Sequence, residues 1–254
     1  MPDRVVTIGN HATLYLADCR EVLTELRQVD ALITDPPYGV LLGSQKDRRA
    51  NHVLVKNGYD SYDDTAENYS AVVVPAIKRA LEITKDGRGL VFGVPPAIWK
   101  LPAPTVIGGV YLPAARGRNQ WGFSSFTLAL LYGRSPDLHL GCSHTGIESF
   151  AVADKNGHPC PKPLSWMMWA IDLATMSNEL VLDPFMGSGT TGVAAIKQGR
   201  QFVGIEINPR YFDIACRLVD DAAKQPDMFV ERPVKSVQMS FLVNGHLHPS
   251  RRRL

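Results

Sequence analysis

The sequence predicts an α/β domain built on a parallel sheet with helices on both faces. Three observations lead there. Short apolar runs alternate with amphipathic segments of helical period along the 254 residues. Four of those runs lead to an acid, at Asp18, Asp35, Asp183 and Glu206. A glycine-rich turn, Gly187-Ser188-Gly189-Thr190-Thr191-Gly192, stands between one such run and the next helical segment.

Taken in order, Leu14-Tyr15-Leu16 reads as a short strand leading to Asp18, followed by a helix from about Arg20 with Val22, Leu23 and Leu26 on one face. Ala31-Leu32-Ile33-Thr34 reads as a buried strand that delivers Asp35. Residues 40–64 carry no period, and a loop of that length inside a domain is usually functional or mobile. A helix is expected from about Thr65, capped by Asp64 with Glu67 three residues on, burying Tyr69, Val72, Val73, Ala76, Ile77, Ala80 and Leu81. Asp86-Gly87 ends it, and Leu90-Val91-Phe92 is the next strand.

Residues 94–125 are rich in Pro and Gly without clear period, and Phe126 to Tyr132 reads as a strand. Gly133 to Gly157 is irregular and polar. A helix is expected over Pro163 to Met176, then a strand at Leu180-Val181-Leu182 ending at Asp183. The glycine turn opens a helix to about Gln198, which Gly199 terminates in the left-handed region. Phe202-Val203-Gly204-Ile205 is a strand ending at Glu206, and Asn208 caps a last helix with Pro209 at its first position. Residues 1–225 thus form one domain, and residues 226–254 a tail in which Asn244-Gly245 suits a hairpin turn.

Composition narrows the class. No apolar run approaches the ~20 residues that span a bilayer. Met1-Pro2-Asp3-Arg4 lacks the layout of a signal peptide, so a cytoplasmic location is expected. The four cysteines form no C-x-x-C pair, which argues against a disulfide framework or a structural zinc site, and no metal is expected. A net charge of +2 permits nucleic-acid binding without arguing for it. Basic residues cluster at Lys46-Asp47-Arg48-Arg49, at Arg116 and Arg118, and at Arg251-Arg252-Arg253, suited to solvated loops or to phosphate contact.

Asp35-Pro36-Pro37-Tyr38 carries the most specific chemistry. The prolines fix φ and remove two backbone donors while their carbonyls still accept. A carboxylate and an adjacent carbonyl can accept both hydrogens of one –NH2 group, and Tyr38 offers a ring face for stacking. The pattern suits methyl transfer to an exocyclic amine on a flat aromatic base. A plain strand ending in a proline-rich turn is the alternative.

Gly187-x-Gly189-x-x-Gly192 matches the dinucleotide fingerprint, with Glu206 about 20 residues on, where an acid meets ribose hydroxyls. The missing lysine excludes a P-loop. A nicotinamide dinucleotide and S-adenosylmethionine are the two cofactors in question. Asp183, four residues before Gly187, favours the second, because an acid there meets a cationic amino-acid moiety but repels a pyrophosphate. Only one strand and one helix follow the fingerprint, so the remaining strands must come from the N-terminal half. That places Asp35 beside the cofactor, with four acids along one sheet edge.

These motifs resemble the amino-group DNA methyltransferases that modify adenine N6 or cytosine N4. Asp35-Pro36-Pro37-Tyr38 resembles that family's catalytic motif, and Leu182-Asp183-Pro184-Phe185-Met186-Gly187-Ser188-Gly189-Thr190-Thr191 its cofactor loop. His158-Pro159-Cys160-Pro161-Lys162-Pro163 is similar to an H-P-x-x-K-P stretch that contributes to the methionine pocket. Ala17-Asp18-Cys19 resembles the acidic turn near the cofactor adenine, and Gly204-Ile205-Glu206-Ile207 the ribose-binding strand. The motif order is that of the permuted β group. Residues 116–134, with Arg116, Arg118 and Trp121, resemble a stretch of small members, some carried by phages.

The resemblance implies a mostly parallel, seven-stranded, Rossmann-like sheet of S-adenosylmethionine-dependent type with circularly permuted motifs. It implies double-stranded DNA as partner and a target base flipped from the duplex. Asp35 and the Pro36 carbonyl would accept from the amine and Tyr38 would stack, with no covalent enzyme intermediate. The family's cytosine members more often carry Ser at the position of Asp35, so adenine is favoured. Cytosine N4, or a DNA-binding subunit that keeps the fold without turnover, are the alternatives. The interval expected to recognise sequence, residues 134–157, is short. Recognition is then minimal or shared with residues 40–64, the tail or a second subunit of a homodimer. Restriction-modification members of the family work beside a cognate restriction enzyme.

Overall fold

The computed structural model describes residues 2–39, 64–95, 97–114, 118–119, 122–136, 144–152 and 161–225. Eleven strands are described: β1 (Arg4–Ile8), β2 (Ala12–Leu16), β3 (Ala31–Thr34), β4 (Gly89–Gly93), β5 (Val106–Tyr111), β6 (Arg118–Asn119), β7 (Gly122–Phe123), β8 (Phe126–Tyr132), β9 (Gly146–Glu148), β10 (Leu180–Asp183) and β11 (Gln201–Glu206). Five main helices accompany them: α1 (Cys19–Glu25), α2, α3 (Leu164–Ala174), α4 (Thr190–Lys197) and α5 (Pro209–Lys224). Helix α2 runs through Ala66–Asn68, a π turn at Tyr69–Val73, and Val74–Glu82.

The main sheet has the order β1-β2-β11-β10-β3-β4-β8-β5-β9, and β6 pairs with β7 apart from it. From β2 to β4 every pairing is parallel. β8 runs antiparallel between β4 and β5. The expectation of seven strands is therefore corrected to nine among the described residues. The two at the margins, β1 in a hairpin with β2 and the three-residue β9, account for the difference.

The parallel strands are buried on both faces, and their side chains alternate between two cores. Ile33, Leu90, Phe92, Val181 and Phe202 join a core with α3, α4 and α5. Their chain neighbours Leu32, Val91, Leu182 and Val203 join the opposite core with α1 and α2. Period two in the strands thus feeds two helical layers, as the alternation of elements predicts.

Boundaries follow local chemistry. Gly199 ends α4 with φ of 70°, and Asn208 caps α5 by accepting from the backbone of Arg210 and Tyr211. Asp64 does not cap α2. Thr65 does, accepting from the backbone of Asn68, while buried Asp64 accepts from the backbone N–H of Gly39 at 2.7 Å. Residues 40–63, 137–143 and 153–157, Arg116, Trp121, His158, Cys160 and the tail from residue 226 lie outside the described residues. So do the basic clusters at 46–49 and 251–253. No described helix is long and apolar enough to cross a membrane.

Candidate active site

Strands β2, β11, β10 and β3 are consecutive neighbours and parallel, so their carboxyl ends lie on one edge. Asp18, Glu206, Asp183 and Asp35 follow at those ends, the juxtaposition expected from the sequence. The chain leaves β10 toward β11 on one side and leaves β3 toward β4 on the other. The crevice between β10 and β3 is therefore a topological switch point, where open α/β sheets bind ligands.

A cavity of about 400 Å³ opens along this edge. Asp18, Asp35, Pro36, Pro37, Tyr38 and Lys162 line it. So do Asp183, Pro184, Phe185, Gly187, Ser188, Thr190, Thr191, Glu206 and Ile207. Two expected residues do not. Pro163 lines a neighbouring cavity instead, and Gly189 faces α5, where an added Cβ would lie 2.9 Å from that of Ala215. Val72, Met167, Asn208, Pro209 and Tyr211 line the cavity without having been singled out as ligand contacts. Asn208 to Tyr211 follow Glu206 directly, and that adjacency is the signal that could have found them. Val72 sits in the π turn of α2, a distortion common at functional sites and invisible in helical periodicity.

The four acids have different environments. Asp183 is 1% exposed. Its Oδ1 accepts from Thr34 Oγ1 at 2.6 Å and Phe185 N at 3.0 Å, and its Oδ2 from Thr191 Oγ1 at 2.6 Å. Burial pushes its carboxyl up to about 6, against those hydrogen bonds. Asp183 therefore braces the glycine loop against β3, rather than standing open to a cationic ligand as the sequence suggests. Glu206 accepts from the backbone of Gly187 at 3.0 Å and Asn208 at 2.8 Å, and burial pushes it up to about 7. Asp18 caps α1 and chelates Arg20, whose hydrogen bonds hold its carboxyl below the usual range.

Asp35 is joined to two partners. Tyr38 donates its hydroxyl to Oδ1, and Lys162 Nζ donates to Oδ2 at 2.6 Å. Lys162 also donates to the Tyr38 hydroxyl at 3.1 Å and lies 5.3 Å from the centre of its ring. Residues 127 positions apart thus close a triangle. Cys19 lines the cavity, but burial pushes its thiol up to about 12, so it is protonated and no nucleophile.

A second cavity, of about 520 Å³, adjoins the first and shares Tyr38, Pro161 and Lys162 with it. Leu112, Thr127, Ser149, Phe150 and Trp166 form much of its wall. Ser149 accepts from Trp166 Nε1 at 2.9 Å and from the Ala151 backbone at 3.1 Å. Phe150 is 69% exposed at its rim.

Comparison with known proteins adds four findings. A model of N6/N4-type DNA methylases matches residues 117–217. The chain is similar to the putative methylase YubD of Escherichia coli K12, 30% identical over 206 residues, or 76% of this chain and 84% of that protein. It is also similar to the DNA adenine methyltransferase YhdJ of Escherichia coli K12, 39% identical over 74 residues. That match spans 29% of this chain and only 25% of YhdJ. Among solved structures, the M1.HpyAVI–SAM complex superposes with a TM-score of 0.58 at 22% identity, over 82% of this chain and 99% of that one. At that identity the likeness concerns the fold.

Proposed function

The chain belongs to the N6/N4 DNA methylase family, and on that premise we propose that it transfers a methyl group from S-adenosyl-L-methionine to the N6 amine of adenine at specific sites in double-stranded DNA. The observation that carries this reading is the meeting of two cavities at Tyr38, Pro161 and Lys162, with Asp35 in the wall of the first and bonded to both Tyr38 and Lys162. One suits a nucleoside cofactor and the other a flat base, each within the usual size range of ligand pockets.

The first cavity fits the cofactor in its donor set. Asp18 and Glu206 bring carboxylates to its wall at the ends of β2 and β11, and Ile207 and Phe185 bring apolar surface. Glu206 is fixed by two backbone N–H groups, so its orientation is set before any ligand arrives. Asp183 holds the loop from Pro184 to Ser188 in shape. The bound cofactor would supply a sulfonium methyl, an electrophile that needs no metal or covalent enzyme intermediate.

At the junction, Asp35 and the Pro36 carbonyl accept the two amine hydrogens and aim the nitrogen lone pair into the first cavity. The Tyr38 ring packs against the base. Asp35 is also the carboxylate within reach of the proton that the methylated nitrogen must shed. The family's cytosine members more often carry Ser at the position of Asp35, and that tendency supports adenine. Relatives of this chain include proteins named as type II methyltransferases.

Incubation with labelled S-adenosylmethionine and mixed duplex DNA, followed by digestion to nucleosides, tests the reading. Label in N6-methyladenine is expected. Label only in N4-methylcytosine overturns the base, and no label in DNA overturns the substrate. Asp35→Ala should abolish transfer and leave cofactor binding largely intact, because Asp35 is one of many residues that line the cofactor cavity.

A further inference from the structure

We propose that Lys162 is a placeholder for the target amine: its ammonium occupies Asp35 and Tyr38 until a base bearing an exocyclic amine replaces it. The proposal rests on the reading of the second cavity as the base site. One cation holds the carboxylate that the amine requires and sits beside the ring that the base requires. Lys162 Nζ donates to Asp35 Oδ2 at 2.6 Å, where an amine hydrogen would donate. The same atom donates to the Tyr38 hydroxyl at 3.1 Å and lies 5.3 Å from the ring centre, beside the ring on which a base would stack. The pair is largely shielded, with side-chain exposures of 16% and 20%, so it is not a loose surface contact.

Charge adds a second reason for an exchange. During methyl transfer the acceptor nitrogen gains positive charge, and Asp35 is the anion placed to offset it. An ammonium held on the same carboxylate opposes that charge. Lys162 must therefore withdraw from Asp35 before the transfer. The geometry permits this without backbone motion. Pro161 and Pro163 flank Lys162 and restrict the chain, Pro163 precedes α3, and the four-carbon stem borders both cavities.

The exchange makes Lys162 a positioning residue that selects for amines. A base without an exocyclic amine would displace the lysine and leave Asp35 Oδ2 without a replacement donor, while Tyr38 still donates to Oδ1, a costly outcome for a shielded carboxylate. An amine-bearing base restores the donor it removes.

Fluorescence anisotropy without cofactor tests this, using labelled duplexes that carry the protein's own methylation site with either adenine or an abasic site at the target. Lys162→Met keeps length and removes the competitor. It should bind the adenine duplex about tenfold tighter, relative to the abasic duplex, than the parent does. Lys162→Arg keeps a cation on Asp35 and should restore the parental ratio. Equal changes on both duplexes, or weaker binding of the adenine duplex, overturn the placeholder and make Lys162 a structural or DNA contact. If the parent methylates no DNA, the proposal falls together with the functional reading. If it methylates DNA and the ratio does not move, the placeholder falls alone.

Discussion

Thr34 donates its hydroxyl to Asp183 at 2.6 Å, across the seam where β3 and β10 run side by side. Thr34 directly precedes Asp35, and Asp183 directly precedes the loop that opens α4. One buried hydrogen bond therefore couples the proposed catalytic motif to the proposed cofactor loop. Thr191 holds the other carboxylate oxygen at 2.6 Å and draws the first turn of α4 onto the same acid. Thr34→Val keeps the shape and removes the donor. A buried acceptor left short of a partner costs about 1–3 kcal/mol. Urea unfolding should register that loss, and cofactor affinity should fall with it. Thr191→Val should behave alike, and the double variant should depart from additivity because both donors serve one carboxylate. A wild-type midpoint for Thr34→Val would remove the bond as a brace.

Stability should decline as pH rises from about 4 to about 7. Burial raises Asp183 from 3.8 to about 6 and Glu206 from 4.5 to about 7. In both cases the folded protein binds the proton more tightly than the unfolded chain does. Their contribution is fully present below the unfolded values and is lost as pH rises through the folded ones. Each group adds a slope of at most about 1.4 kcal/mol per pH unit. Asp18 works in the opposite sense at lower pH, but its partner Arg20 is half-exposed and the effect is small. Asp183→Asn and Glu206→Gln should each flatten the fall in urea midpoint between pH 4.5 and pH 7.5. A variant with the full parental slope would refute the assignment for that residue.

The parts of the fold legible in the sequence are those that deliver the acids. β3, β10 and β11 are short apolar runs bounded by polar residues, and their burial on both faces explains that pattern. β5 was not legible, because Gly108 and Gly109 interrupt Val106–Tyr111 and read as loop. Packing requires both glycines. An added Cβ would lie 1.8 Å from Thr145 O at the first and 2.2 Å from Thr127 O at the second. β1 is mostly exposed at the sheet margin and so lacks alternation. Within the site, the motif residues were legible by type and spacing. The Lys162–Asp35 pair was not, since nothing in local sequence reports a contact across 127 positions.

Gly192 answers to packing rather than to a ligand. A Cβ there would lie 2.7 Å from the Phe202 ring and 2.9 Å from Val219, in the layer between α4, β11 and α5. Neither neighbour is the free end of a flexible chain, because Phe202 and Val219 are both fully buried. Gly192→Ala should therefore cost about 1–3 kcal/mol through overpacking, read as a lower urea midpoint. Gly192→Ala with Phe202→Leu should recover part of the loss by vacating the ring. No recovery would place the cost elsewhere.

Asp64 and Thr65 are adjacent, and the structure assigns them different work. Thr65 caps α2 through the Asn68 backbone at 3.2 Å. Asp64 accepts from Gly39 N at 2.7 Å, one residue after Tyr38, and so fixes the end of the proposed catalytic motif to the start of α2. Thr65→Ala should cost about 1 kcal/mol of stability, the usual loss of a cap, with kcat little changed. Asp64→Ala should cost a similar amount of stability and in addition lower kcat about tenfold, because a loosened Gly39 lets Tyr38 drift from Asp35. Steady-state methylation beside urea unfolding separates the two. Equal kcat in both variants would show that Asp64 serves the helix alone, and the anchoring of Tyr38 would have to come from its hydroxyl bond to Asp35 and its contact with Lys162.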